Sequence, residues 1–471
     1  MVGQVTQGGT IAAGVQPYVK VNARKVVLTH VRVLDGTGAP AVDDRNVVIE
    51  NGKITAISPG TDETSDANTT VLDLRGHTVL PGIVGMHNHL FYIARPNLNV
   101  DGKFERPVSI PEMAFTSPRL YLAAGVTTMR TTGSVEPYAD LGLKHEIDDG
   151  QVAGPHIDVT GPYLDGPGTI FYQMHPLASP EETRRFVDFW VDQGVTSFKA
   201  YTSITRAELK AAVEEAHKHG IKVTGHLCSV TYREAADAGI DNLEHGFFVN
   251  TELDPDKKPD TCTATQGFYT LEHMDPNGPQ AADLIRYLIA HHVAITSTLP
   301  VFEQDNPLHV VLRPQMLATM TPEAREAYLY ARNSKQGVPH DAAVLHLKND
   351  MQMERNFVAA GGLLLGGPDP TGNGGVLPGF GDQREIELLV EAGFSPAEAV
   401  RIATLNGAIY LGRDKQIGSI APGKNADLVI VLGNPAEKIT DIENVETVFK
   451  DGVGYDSQKL FDSVKGRYGQ Y

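Results

Sequence analysis

The chain has 471 residues, enough for two or three domains, or for one large α/β barrel with a small second module. Hydrophobic residues make up 41% of it, which supports a substantial core and excludes general disorder. The 40 Lys and Arg against 58 Asp and Glu give a net charge of −18, so nucleic acid is not an expected partner. No apolar run reaches the roughly 18 residues of a membrane helix, and no membrane contact is predicted.

The first residues, 1–24, are predicted to be a flexible lead. They contain neither the basic start nor the apolar stretch of a secretory signal. On the sequence given, the expected location is the cytoplasm. A secreted or periplasmic location stays open if a signal peptide has been removed.

The two cysteines, Cys228 and Cys262, are too few for a disulfide framework or a thiolate zinc site. One disulfide between them is an open alternative. Two buried free thiols are the expected state.

Both ends of the chain have the composition of short strands. Over 25–77, β-branched residues alternate with turns such as Asp35-Gly36 and Asn51-Gly52, a pattern typical of hairpins. The same pattern returns at 426–433 and 445–455. Because neither end alone has enough strands to cover a core, we predict one small β-sandwich module built from 25–77 and 415–460.

The middle of the chain, 78–414, alternates strand-like and helical segments. Ser179 followed by Pro180 is a typical helix start, with a capping oxygen and a proline in the first turn. Eight strands separated by helices predict the α/β class, as a (β/α)8 TIM-type barrel. Two stretches near 247–275 and 301–350 are longer than ordinary βα loops and are predicted to form lids. The strand-like segments are 78–89, 125–133, 156–162, 195–201, 220–226, 241–246, 293–300 and 362–369.

Potential metal ligands lie at the ends of these strands. In such a barrel the active site is built at the carboxyl ends of the strands. The first strand ends at His87 and His89, which point to the same face because they are two residues apart. Each such residue alone is a weak signal, but together they predict a metal site, since imidazole and carboxylate are usual ligands of catalytic zinc. The other strand-end residues are Lys199, His226, His245 and Asp369.

Three motifs resemble the amidohydrolase superfamily. They are GHTVLPG at 76–82 leading into His87-Asn88-His89, GSIAPGKNADL at 418–428, and EAGFSPAEAVRIATLNGAIYL at 391–411. The resemblance covers about residues 27–455. Within the superfamily the chain is most similar to imidazolonepropionase-like and prolidase-like amide hydrolases.

The resemblance implies a binuclear centre with two divalent ions, and zinc is the expected metal. Manganese and cobalt also fit these ligands. His87, His89 and Asp369 would hold the more buried ion, and His226 and His245 the second. Lys199 would be carbamylated by CO2 and would bridge both ions, since two nearby cations favour the anionic carbamate. The resemblance also implies a homo-oligomer.

The implied activity is hydrolysis of an amide or peptide-like C–N bond in a small molecule. A hydroxide bridging the ions would attack the carbonyl carbon, with Asp369 acting as general base and then as general acid. Dipeptides, N-acyl or N-aryl amino acids and amide-linked xenobiotics are the expected substrates. Tyr201 and His175 are candidate substrate contacts, although packing or solvent exposure explains either residue equally well.

Departures from the family pattern leave other functions open. Many relatives have Asp where Thr131 stands, and Thr where Pro368 precedes the aspartate. A mononuclear deaminase would commonly have a glutamate at the position of Ser229. A lactonase or phosphotriesterase on the same centre, and a non-catalytic scaffold, are the remaining alternatives.

Overall fold

Parallel strands form the middle of the protein. A computed structural model describes residues 5–6, 9–66, 68–92, 109–168, 171–334, 341–371 and 375–470. Numbered first to eighth along the chain, the parallel strands are Ile83–Asn88, Val126–Thr131, His156–Val159, Ser197–Ala200, Lys222–Gly225, Asn242–Glu244, Ala294–Ser297 and Leu364–Gly366. The first three pair in sequence order as one sheet, and the other five as a second. The predicted α/β class is confirmed.

These two parallel sheets are joined at both of their edges. A parallel bridge pairs Thr160 with Ser197, between the third and fourth strands. After the eighth strand, the backbone N–H of Asp369 donates to the carbonyl of His87 at 3.0 Å. Gly367 permits this close approach, because a Cβ there would lie 2.3 Å from the backbone nitrogen of His87. The carboxyl ends of the first and eighth strands therefore meet.

Helices connect the parallel strands. The helix Pro180–Gln193 begins as predicted, with the Ser179 side chain accepting a hydrogen bond from the backbone of Glu182, and it ends at Gly194 in a left-handed conformation. None of the helices in the described part of the chain combines the length and apolar character that crossing a membrane requires. The other α-helices are Ser117–Ala123, Pro137–Asp148, Arg206–Lys218, Tyr232–Asp237, Phe268–His273, Pro279–Ala290, Leu299–Glu303, Pro314–Thr319, Pro322–Ser334, Asp341–Ala359, Phe380–Glu391, Pro396–Arg401, Gly407–Tyr410 and Ser457–Val464.

Strands from both ends of the chain share one mixed sheet. Its core contains Val26, Leu28, Ile49, Leu428 and Phe449, all fully or nearly fully buried. The tail strands therefore complete the sheet that the early hairpins begin. In spatial order its strands are Val19–Val21, Val453–Asp456, Val445–Lys450, Leu428–Leu432, His77–Pro81, Lys25–Val33, Val42–Glu50 and Lys53–Pro59, with Thr69–Asp73 paired to Lys25–Val33.

The stretch 78–89, predicted as one strand, is divided between the two kinds of sheet. His77–Pro81 pairs with Leu428–Leu432 in the mixed sheet, whereas Ile83–Asn88 pairs with Val126–Thr131 among the parallel strands. The break falls at Gly82, whose N–H donates to the carbonyl of Asp427 at 2.8 Å. Because apolar β-branched residues stand on both sides of Gly82, the sequence does not show where the chain passes from the mixed sheet to the parallel strands.

The structure also differs from the flexible lead expected over 1–24. Within the described part of that range, Ile11 and Val15 are buried in an apolar cluster. The N–H of Ala12 donates to the carbonyl of Gly150, and Val19–Val21 joins the edge of the mixed sheet. Burial of these apolar side chains orders the segment. Residues 1–4 and 7–8 lie outside the described residues.

The expectation of two free thiols is wrong. Cys228 and Cys262 form a disulfide, with their Cα atoms 4.7 Å apart. Cys228 follows the fifth strand. The segment after the sixth strand folds back over it, and Thr251 donates a hydrogen bond to the carbonyl of Cys228 at 3.2 Å. The two cysteines meet because this segment folds back, which the sequence does not show.

The two stretches predicted as lids contain helices. The first, 247–275, includes Phe268–His273, and the second, 301–350, includes Pro314–Thr319 and Pro322–Ser334. Residues 335–340 of the second stretch lie outside the described residues. Both stretches contribute side chains to the cavity described below, and their role as lids stays a prediction.

Candidate metal centre

The six predicted side chains converge at the carboxyl ends of five parallel strands. His87, His89 and His245 are at most 2% exposed, as is Lys199. His226 is half-buried. Asp369 is also buried and follows the eighth strand, where Gly367 holds that strand against the first. The alternation of side chains along the first strand places both its imidazoles on the inner face.

Short distances connect these side chains. The Lys199 Nζ lies 3.0 Å from His87 Nε2. The Asp369 Oδ1 lies 3.1 Å from His89 Nε2 and 3.6 Å from His87 Nε2. The ring of His245 is 4.7 Å from that of His87 and 4.3 Å from that of His226, measured between ring centres. All six side chains thus surround one small volume.

The donor set fits a divalent cation. His87, His89 and Asp369 each offer one ligand atom, and these atoms lie within 4.8 Å of one another. The Nε2 of His245 is buried and has no hydrogen-bond partner among the described residues. A buried polar atom without a partner needs an explanation, and an ion supplies one. Imidazole nitrogens with carboxylate oxygens are the usual ligands of catalytic zinc.

Burial favours the neutral form of the candidate nitrogen ligands. It lowers the pKa of His89 to about 4 and that of His226 to about 3. Their lone pairs are therefore available to a cation near neutral pH. Burial also lowers the pKa of Lys199 to about 8, so a neutral amine is accessible there. Burial alone would raise the pKa of Asp369, but the adjacent His87 and His89 hold it below its ordinary value.

Glu244 is a buried partner of this cluster that sequence reasoning missed. Its Oε2 lies 2.8 Å from Nδ1 of His87, and its Oε1 accepts a hydrogen bond from Arg130 at 2.7 Å. Burial opposes ionisation of Glu244, but Arg130 and His87 lower its pKa to about 2. The carboxylate therefore orients His87 so that Nε2 faces the site. The signal in the sequence was a glutamate within a buried strand, directly before His245.

Two site residues have an unusual backbone conformation. His245 has φ of 70° and Asp369 has φ of 52°, in the left-handed region that residues other than glycine rarely adopt. Such conformations cost roughly 1–3 kcal/mol each and cluster at functional sites. The fold holds both side chains where the other ligating groups meet.

A cavity of about 280 Å³ opens over the cluster. Tyr201, one of the two candidate substrate contacts, lines it, with its ring centre 5.9 Å from Lys199 Nζ. The other, His175, does not line this cavity: its imidazole is largely exposed and lies 2.9 Å from a carboxylate oxygen of Glu182. His175 thus lies against the first turn of helix Pro180–Gln193 and not in the cavity.

The model of the amidohydrolase family matches residues 78–454. The chain belongs to the amidohydrolase family. The matched range contains all six converging side chains, and the resemblance inferred from the sequence is confirmed.

Individual relatives agree with this assignment. D-hydantoinase of Streptomyces coelicolor is 24% identical over 416 residues, covering 82% of this chain and 81% of that protein. Imidazolonepropionase of Clostridium tetani is 36% identical over 115 residues, which cover 22% of this chain and 26% of that protein. The solved structure of a Xaa-Pro dipeptidase shares the fold, with a TM-score of 0.64 at 23% identity, covering 92% of this chain and all of that one. This amidohydrolase is thus a hydrolase acting on C–N bonds, as predicted.

Proposed function

We propose that this amidohydrolase is a binuclear metal-dependent enzyme that cleaves an amide or peptide-like C–N bond of a small molecule. The eight parallel strands would close as a (β/α)8 barrel, and the mixed sheet would form a β-sandwich beside it. One observation supports the proposal most strongly. Lys199, buried between Phe198 and Ala200, places its amine 3.0 Å from the imidazole of His87, among four further ligating side chains.

The ligands would divide into two sets. His87, His89 and Asp369 would hold one ion, and His226 and His245 the other. Lys199 would serve both sets once its neutral amine had added CO2 and released a proton to become an anionic carbamate. The aromatic rings of Tyr163 and Tyr201 lie 5.4 and 5.9 Å from its Nζ, which limits the access of bulk water to that group.

The ions, when bound, would polarise the substrate carbonyl and lower the pKa of the attacking water. The chain's own residues move the proton. Asp369 accepts it from the water through its carboxylate, and then donates it to the nitrogen of the leaving amine. Glu244 and Arg130 hold His87 in one orientation while this happens.

Amide-type substrates fit both the cavity and the relatives. About 280 Å³ is close to the lower limit of pockets that bind small molecules. The similar proteins include a D-hydantoinase and a Xaa-Pro dipeptidase, and the second name describes cleavage of a peptide bond. Dipeptides, N-acyl amino acids and amide-linked xenobiotics are the substrates to examine first.

A hydrolysis screen tests this proposal. N-acyl amino acids, dipeptides and simple amides would be assayed with added zinc, manganese or cobalt, with and without a chelator, beside a lactone and a phosphotriester. We expect amide cleavage that the chelator abolishes. Faster cleavage of the lactone or the phosphotriester would reject an amidase. One ion per chain with ammonia release from a heterocycle would indicate a deaminase instead.

The disulfide between Cys228 and Cys262 is relevant to the compartment in which the protein works. We propose that the protein works in an oxidising compartment, because disulfides persist there and are rare in the cytosol. The pairing of Cys228 with Cys262 supports this proposal over the cytoplasmic expectation. Fractionation of the native host, with the protein detected by antibody, tests it.

A further inference from the structure

Two apolar walls flank the candidate metal centre. The first wall consists of Phe91, Tyr163 and Phe171, which follow the first and third strands. The second wall consists of Phe268 and Phe302, which belong to the stretches predicted as lids. All five side chains line the same cavity as Lys199 and Asp369.

Each wall packs directly against a different ligating histidine. The ring of Phe91 stacks on that of His89, with centres 4.4 Å apart. The ring of Phe302 meets that of His245 edge to face, with centres 5.6 Å apart. His89 and His245 both lie next to His87, so each wall borders a different histidine of the same cluster.

Several rings of the two walls are only partly buried, although neighbouring side chains fix their orientation. Phe248 is buried and stacks on Phe302, with ring centres 3.7 Å apart, so it fixes the orientation of Phe302 from behind. In contrast, Phe171, Phe268 and Phe302 are only half-buried and border the cavity. Rings held in place but left partly uncovered gain contact area when a flat apolar group enters.

We propose that the substrate carries an apolar ring on each side of the scissile amide bond, as in an arylacyl amide of an arylalkyl amine. This inference rests on the proposed amide hydrolysis and adds its substrate class. One ring would lie against the first wall and the other against the second. The carbonyl carbon would then lie between them, beside Asp369, Lys199 and the histidines.

The size of the expected preference follows from burial. Removing an aromatic ring from water on binding favours a substrate by roughly tenfold to a hundredfold per ring. An aliphatic dipeptide of similar length lacks this contribution on both sides. The walls therefore discriminate through kcat/KM.

Four matched amides test the proposal with the metal-loaded enzyme: N-benzyl-2-phenylacetamide, N-methyl-2-phenylacetamide, N-benzylacetamide and N-methylacetamide. The released primary amine is measured in every case. We expect kcat/KM to rise about tenfold or more for each ring, so the first substrate is cleaved best. Equal values for all four would overturn the inference while leaving amide hydrolysis intact. No cleavage of these or of any other amide would overturn the proposed function and this inference together.

Variants of the wall residues test which ring of the substrate lies against which wall. Phe171→Ala should lower kcat/KM about tenfold only for amides with one of the two rings, and Phe302→Ala only for those with the other. Phe189→Ala, which alters an exposed phenylalanine of helix Pro180–Gln193, is the control and should change nothing. If Phe302→Ala fails to fold, Phe302→Leu gives a smaller loss in the same direction. An equal loss for all four substrates would contradict the assignment.

Binding gives a readout independent of turnover. In the Asp369→Asn protein, calorimetry with N-benzyl-2-phenylacetamide should show binding that Phe302→Ala weakens about tenfold. N-methylacetamide should bind too weakly to detect. Binding of the two-ring amide that is unaffected by Phe302→Ala and Phe171→Ala would contradict the proposal.

Discussion

Glu244 and His87 form a fully buried contact, with the carboxylate Oε2 2.8 Å from the imidazole Nδ1. The other oxygen of Glu244 accepts a hydrogen bond from Arg130, and Arg130 also donates to the carbonyl of Met86. Together these contacts fix which nitrogen of His87 faces the other candidate metal ligands. Orientation of a ligating histidine by a carboxylate is a recurring feature of metal sites.

Replacing Glu244 by Gln should weaken metal binding. The amide keeps the shape of the side chain but removes the charge that orients His87, so we expect a loss of about tenfold to a hundredfold in metal affinity. Competition with a chromophoric chelator measures it. Glu181→Gln, on an exposed glutamate paired with Arg185, is the control. Unchanged affinity in Glu244→Gln would show that the contact does not orient the ligand.

Replacing Asp369 by Asn should slow turnover while leaving the fold intact. Asn retains an oxygen near His89 but cannot accept and return a proton, so kcat should fall by about 10²–10⁴. Activity and metal content are measured on the same preparation, with Asp283→Asn on the exposed surface as control. Full activity in Asp369→Asn would contradict the assigned role.

Two buried acidic groups should make the free energy of unfolding fall as the pH rises. Burial raises the pKa of Asp350 to about 7 and that of Glu385 to about 8. Between about pH 4 and these values, the folded state holds protons that the unfolded state has released. The free energy of unfolding therefore decreases with rising pH, by an amount on the order of 1–4 kcal/mol per group.

Denaturant unfolding at about pH 5, 6, 7 and 8, in the presence of a chelator, tests this dependence. Asp350→Asn keeps an oxygen for the hydrogen bond from the backbone of Phe247 but cannot ionise. Its stability should fall less steeply over this range than that of the parent protein. Parallel curves for the two proteins would exclude Asp350 as a source of the effect.

The disulfide should contribute substantially to stability. Cys228 and Cys262 are 34 residues apart, and closing a loop of that length is worth about 3–4 kcal/mol in the chain-entropy model. Cys262→Ser should therefore lower the free energy of unfolding by about that amount. Reductant should destabilise the parent protein and leave the variant unchanged. Equal stability of both proteins under oxidising conditions would show that the bond does not form.

The sequence predicts that these side chains converge because the signals for it are local. Each predicted ligand lies at or just beyond the carboxyl end of a strand, and parallel strands bring these ends to one edge, so His87, Lys199 and His245 could be placed together without a structure. The start and end of helix Pro180–Gln193 also follow from local capping residues. Periodicity and capping depend on neighbours in the chain, which the sequence displays.

The features that could not be predicted from the sequence depend on contacts between residues far apart in the chain. The pairing of Cys228 with Cys262 requires a segment to fold back over the fifth strand. The burial of Ile11 and Val15 requires a surface built by the far end of the chain. Glu244 was missed because its partner, His87, lies 157 residues earlier in the chain.

The proposed function depends on a modified Lys199 that joins two metal ions. The most direct test is a crystal structure of the protein grown with zinc and bicarbonate, with anomalous maps recorded at the zinc edge. We expect two zinc peaks between the histidines and Asp369, and density for a carbamate on Lys199 that reaches both. A single peak or none, with an unmodified Lys199, would contradict it.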